Sequence, residues 1–130
     1  MIATNASAAS AASARSIAET FGRAWMSGDT ETALGLVADD VVCDAPSGRI
    51  EGLPGYRTFL EGFLPMLTSA TITKVLGDET SAAIVYTTDT TFVSDLRASD
   101  YLTIENGKIT YVQTVFDRLP ITEARRAQQG

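Results

Sequence analysis

Ile17, Phe21, Ala24 and Trp25 recur at helical spacing, so the hydrophobic positions predict an amphipathic helix over residues 14–27. Gly28 ends it, and Asp29 or Thr30 can cap a second short helix running to about Val37. Residues 41–44 read as a short strand, followed by a Pro/Gly loop over 45–52. Pro54 suits the first turn of a third helix, whose apolar stripe is Tyr56, Phe59, Leu60 and Phe63. Beyond Pro65 the period changes. Residues 70–76, 81–94, 99–105 and 108–119 are alternating and β-branched, with Gly77-Asp78 and Asn106-Gly107 as turns. Helices followed by a meander of long strands is an α+β plan: a curved antiparallel sheet wrapped on three N-terminal helices.

Within this pattern the stretch from Ala98 to Thr110 is the sharpest. Asn106-Gly107 is the preferred pair for a type I′ hairpin turn, which needs φ > 0 at both central residues. One face of the strand before it carries Leu102 and Ile104, and the same parity puts Asp100 on that apolar face. A carboxylate turned into a hydrophobic interior is costly unless it is paired, hydrogen-bonded or protonated. Asp100 is therefore the first candidate for chemistry.

Composition narrows the chemistry further. The 130 residues suit one domain over 14–120, with an Ala/Ser-rich, disordered or frayed N-terminal segment over 1–13 and a polar C-terminal tail over 121–130. A net charge of −6 argues against a nucleic-acid groove or an anionic membrane surface. No apolar run is long enough to span a bilayer, and the N-terminus lacks the charged and apolar regions of a signal peptide. The one cysteine, Cys43, cannot form an internal disulfide and fits the reducing cytoplasm. With no histidine to activate it, Cys43 reads as a small buried hydrophobe. The same lack removes Ser-His-Asp and Cys-His catalysis and the usual zinc sets. Acid–base work falls to carboxylates or tyrosines, or failing those to Lys74 or Lys108. No phosphate loop or ligand cluster is present, so no cofactor and no metal is expected.

Several motifs coincide along the chain. Ala24-Trp25-Met26-Ser27-Gly28-Asp29 closes the first helix, and Leu36-Val37-Ala38-Asp39-Asp40-Val41-Val42 follows the second. Ile50-Glu51-Gly52 precedes the third, and the chain ends on Glu105-Asn106-Gly107-Lys108-Ile109 and Val115-Phe116-Asp117. Together they resemble the nuclear-transport-factor-2-like superfamily, in particular SnoaL-like polyketide cyclases and ketosteroid-isomerase-like proteins. The resemblance implies a cone in which the sheet and helices enclose an apolar pocket, commonly in homodimers. It also implies a functional aspartate ahead of the Gly-Lys hairpin, which falls on Asp100. In the isomerases that acid stays protonated and donates to a developing oxyanion; in the cyclases it acts as general acid or base.

Other family positions match less well. The isomerase tyrosine on the first helix falls on Phe21, which has no hydroxyl. The isomerase base falls on Ala45, with Asp44 one residue early and therefore turned to the other face unless a bulge intervenes. The Asp-Arg-Asp set of the limonene-epoxide-hydrolase branch falls on Asp89, Thr91 and Thr114, leaving its arginine and second aspartate unmatched. Strand parity around Asp89 decides little, because both faces are mixed; the resemblance turns the Asp89 face inward.

The resulting expectation is a cofactor-independent enzyme that transfers protons on a hydrophobic, carbonyl-bearing polyketide- or terpenoid-like substrate. Isomerisation or cyclisation would be the outcome, with Asp100 at the oxygen where charge develops and Asp89 or Asp44 as base. Phe21, Trp25, Phe59, Phe63 and Met66 would wall the pocket from the helices. Thr91, Leu102, Val112, Thr114 and Phe116 would wall it from the strands. A tyrosine hydroxyl could replace the donor missing at Phe21, without the sequence choosing among Tyr56, Tyr86, Tyr101 and Tyr111. The alternative is a non-catalytic hydrophobic-ligand-binding or dimerisation module. A homodimer is expected through an apolar outer sheet face, with Ile84, Tyr86, Phe92 and Tyr101 as candidates.

Overall fold

The structure, a computed structural model, describes residues 2–117 and 119–129, the side chains of 2–13, 128 and 129 excepted. Helix α1 (Ile2–Met26) takes in the Ala/Ser-rich run that apolar periodicity leaves out, in keeping with the high helix propensity of alanine. Helix α2 (Thr30–Gly35) is capped by Asp29, whose carboxylate accepts from the Thr32 N–H at 3.2 Å. Strand β1 (Val37–Ala45) is longer than the predicted 41–44, because Val37, Val41 and Cys43 all turn into the core. The expected 45–52 loop folds instead as a hairpin, with β2 (Gly48–Glu51) antiparallel to β1. Helix α3 (Leu53–Phe63) has proline in its first turn and runs into a short 3₁₀ turn, Leu64–Met66.

Four long strands follow: β3 (Leu67–Gly77), β4 (Ser81–Thr90), β5 (Leu96–Glu105) and β6 (Lys108–Phe116). Asn106 and Gly107 take φ of 52° and 76° between β5 and β6, the two left-handed residues that a type I′ turn requires. The sheet is curved and six-stranded, in the order β2-β1-β6-β5-β4-β3. It is mixed rather than wholly antiparallel, because β1 enters beside β6 in parallel. The chain ends on α4 (Leu119–Gln129), so the polar tail is helical.

Helix α1 lies across β3 and β4, placing Ala18, Phe21 and Trp25 on the buried side. Gly22 permits this approach: a Cβ there would lie 3.1 Å from Ile84 Cδ1. The inner face of β4 carries Ala82, Ile84, Tyr86, Thr88 and Thr90, while β5 contributes Leu96, Asp100, Leu102 and Ile104. This corrects the expected outer face: Ile84 and Tyr86 point inward, and of those candidates Tyr101 is the one exposed there. Among the described residues no helix is long and apolar enough to cross a membrane.

Candidate active site

Between the inner face of the sheet and helices α1 and α3 lies a cavity of about 330 Å³, at the small end of ligand pockets. Asp100 is on its wall. Strand β5 places it there by parity with Leu102, as the sequence pattern requires, and leaves it 3% exposed. Thr114, directly opposite on β6, donates its hydroxyl to Asp100 Oδ1 at 3.0 Å. Tyr86, one step diagonal on β4, donates to the same oxygen at 3.0 Å. Oδ2 accepts no hydrogen bond among the described residues, yet no fully buried side-chain oxygen there lacks a partner. Oδ2 therefore opens onto the cavity.

Burial is the main influence on this acid. It raises the Asp100 pKa to about 6, while the hydroxyls of Thr114 and Tyr86 pull the other way by favouring the anion. An acid with that pKa is mostly ionised at neutral pH and still easily protonated, which suits a group that must both take and return a proton. Burial, and then the charge of Asp100, push the Tyr86 hydroxyl well above its ordinary value, so it remains a neutral donor.

Tyr56 is the residue that sequence reasoning left unresolved. Helix α3 buries it to 2% exposure between Phe21 and Phe59, with ring centroids 6.4 and 6.1 Å away. Its hydroxyl makes no hydrogen bond to a described residue, and since no fully buried side-chain oxygen there lacks a partner, it opens onto the cavity that the residue lines. Burial and then the charge of Asp100 raise its pKa well above the ordinary value, so it too remains a neutral donor. The cavity thus holds an unpartnered O–H and an open carboxylate oxygen. Cys43 lies behind this wall, its thiol pushed up to about 11 chiefly by burial, and is inert as a nucleophile at neutral pH.

The other two proposed acids lie elsewhere. Asp89 is on the outer face of β4, because Tyr86, Thr88 and Thr90 occupy the inner one. It accepts from the Asp95 N–H and the Ser69 hydroxyl, both at 2.7 Å, and these bonds hold it below its usual pKa. Asp44 faces away from the core side of Cys43. Arg49 grips it at 2.9 and 3.1 Å and Tyr111 donates at 2.7 Å, and the arginine is the larger cause of its lowered pKa. Both are ionised structural groups. Among the described residues Asp100 is the one carboxylate on the cavity wall.

Of the expected wall residues, Trp25, Phe59, Phe63, Met66, Thr114 and Phe116 line the cavity. Trp25 meets Tyr86 edge-on at 5.3 Å and so helps to aim it. Phe21, Leu102 and Val112 are fully buried behind the wall. Thr91 is exposed past the end of β4, in the bend that reverses the chain. The periodicity did not point to Ile121, Thr122 and Arg125 of α4, which complete the rim. Among the described residues no three of His, Cys, Asp and Glu gather as a metal site.

The curved sheet closed by helices is the fold of solved structures described as nuclear-transport-factor-2-like. A Kribbella flavida protein of 38% identity superimposes with a TM-score of 0.87, over 90% of this chain and 97% of that one. A candidate ketosteroid isomerase from the same organism shares 23% identity at a TM-score of 0.73, over 82% and 79%. A candidate polyketide cyclase from Sinorhizobium meliloti shares 18% at 0.70, over 77% and 94%. Below 25% identity such likeness speaks for the fold alone. No curated protein matches the chain. The SnoaL-like domain model matches residues 18–112, so this chain belongs to the SnoaL-like family.

Proposed function

We propose that this protein is a cofactor-independent enzyme that moves a proton next to the carbonyl of a small hydrophobic substrate. The observation that carries the reading is the pairing of an open Asp100 Oδ2 with the unpartnered Tyr56 hydroxyl in one apolar cavity. The substrate carbonyl accepts the Tyr56 O–H. Asp100 as carboxylate takes the proton from the adjacent carbon, and the C–H electron pair becomes the enolate, whose charge the tyrosine stabilises. Asp100 then returns the proton to the far carbon of the conjugated system, giving an isomer. In a cyclising substrate the enolate carbon attacks a second carbonyl, and the proton goes to the new alkoxide. One acid serves both half-reactions, since Asp44 and Asp89 are held by structural partners outside the cavity.

That same singleness supports a second reading, a binding module whose acid orients a ligand without chemistry. Deuterium exchange separates the two. Aryl alkyl ketones incubated with the protein in D₂O should lose their α-proton NMR signals faster than buffer controls, and Asp100→Asn should abolish the acceleration. Saturable ketone binding with no accelerated exchange would establish the binding module instead.

A further inference from the structure

The cavity has two charged groups on its wall, and they sit apart. Asp100 is buried on β5, whereas Arg125 is exposed on α4, where it joins Ile121 and Thr122 on one helix face at the rim. The lining between them is mostly aromatic and aliphatic. Arg125 also lacks the partner that most of the arginines have, as does its neighbour Arg126, but only Arg125 of the two is on the cavity wall. Arg15, Arg23, Arg49, Arg57 and Arg97 each pair with a carboxylate within 4 Å, as expected in a chain of net charge −6. Arg125 has no such partner among the described residues, although the chain carries 16 acidic side chains that could have supplied one. A guanidinium left open at the rim of an apolar cavity is a two-pronged donor suited to a planar carboxylate.

We propose that the substrate is an amphipathic acid: its carboxylate pairs with Arg125 at the rim while its reacting carbonyl lies inward, between Tyr56 and Asp100. The inference rests on the proton-transfer reading and adds the polarity of the far end of the substrate. The cation also offsets the repulsion that an ionised Asp100 exerts on a second anion entering the same cavity. Because Arg125 is solvent-exposed, the preference it confers is modest and salt-sensitive.

Trp25 is the one tryptophan of the sequence and lines the cavity, so its fluorescence reports occupancy directly. The probes are short ω-benzoylalkanoates, each compared with its own methyl ester, titrated into the intact protein at low and high salt. The acid should bind about two- to five-fold more tightly than the ester at low salt, the range of an exposed ion pair. Arg125→Gln should bring that ratio to about one without changing the ester affinity, and added salt should do the same to the wild type. An ester that binds as well as its acid overturns the role of Arg125 and leaves the carbonyl site standing. So does a preference that survives Arg125→Gln. Failure of both acid and ester to bind, by Trp25 fluorescence and by calorimetry, overturns the cavity reading itself, and this inference with it.

Discussion

Thr114 stands directly across the β5–β6 ladder from Asp100 and donates its hydroxyl to Oδ1 at 3.0 Å. With Tyr86 donating to the same oxygen from the other neighbouring strand, one carboxylate oxygen is fixed and the other is free for substrate. The register of three strands, rather than a loop, sets the aim of the acid.

The pH dependence of turnover follows from that geometry. As the base, Asp100 must be ionised, so kcat/KM should rise with pH through an apparent pKa of about 6 and then level off. Tyr86→Phe removes a hydrogen bond that favours the anion, so the same limb should move to higher pH. A pH–rate profile of the two proteins checks both statements. A limb unmoved by Tyr86→Phe would argue against Asp100 as the titrating group.

The same acid should cost stability. Its folded pKa, about 6, lies above the ordinary 3.8, so the native chain holds this proton more tightly than the unfolded one. Between those values the native state has more protons bound, and stability from this group falls as pH rises from 4 to 6. The integrated penalty is on the order of 3 kcal/mol. Asp100→Asn keeps the shape and the acceptor oxygen and removes the charge. The stability difference between variant and wild type should therefore swing in the variant's favour across this window. Urea melts at several pH values measure it.

Tyr56→Phe isolates the free hydroxyl. It should lower kcat by about 10²–10³, the usual loss for one oxyanion donor. It should leave the melting temperature nearly unchanged, since that O–H opens onto the cavity and makes no hydrogen bond to a described residue. A wild-type rate in this variant would remove Tyr56 from the mechanism.

Asp89→Ala and Asp44→Ala should behave in the opposite way. Each breaks hydrogen bonds that organise a turn or a strand end, so each should lower the melting temperature. Neither side chain reaches the cavity, so kcat/KM should remain within about two-fold of wild type.

How far the sequence was legible differs from strand to strand, for physical reasons. Asp100 and the β5–β6 hairpin could be read directly, because Leu102, Ile104 and Asn106-Gly107 leave one parity and one turn type. Strand β4 resisted the same treatment. Threonines occupy both of its faces, so alternation cannot tell Tyr86, which faces inward, from Asp89, which does not. Helix α4 resisted for another reason: its contribution to the rim depends on where the chain returns after β6, which no local pattern encodes.

Outer-face parity keeps Tyr101 for assembly and replaces the other expected residues. Val85, Tyr101 and Val115, 39%, 44% and 53% exposed, lie on the neighbouring strands β4, β5 and β6, with Tyr101 diagonal to both valines, and form an apolar patch around Ser99 that faces away from the cavity. We propose that this patch is the contact of a homodimer. Sedimentation velocity should show a dimer for the wild type and a monomer for Tyr101→Glu. A monomeric wild type at micromolar concentration would exclude it.

The place of β5 in the sheet has a consequence for how the molecule opens. Asp100 lies on a strand bonded on both edges, by β4 and by β6, while β2 and β3 form the margins and α4 follows the last strand. Amide hydrogens of β5 should be released only by global unfolding, whereas those of α4 should exchange through small local openings. The acid and its two hydroxyl braces would then keep their arrangement in every state short of the unfolded chain, while the rim that admits the ligand opens and closes on its own, much faster clock.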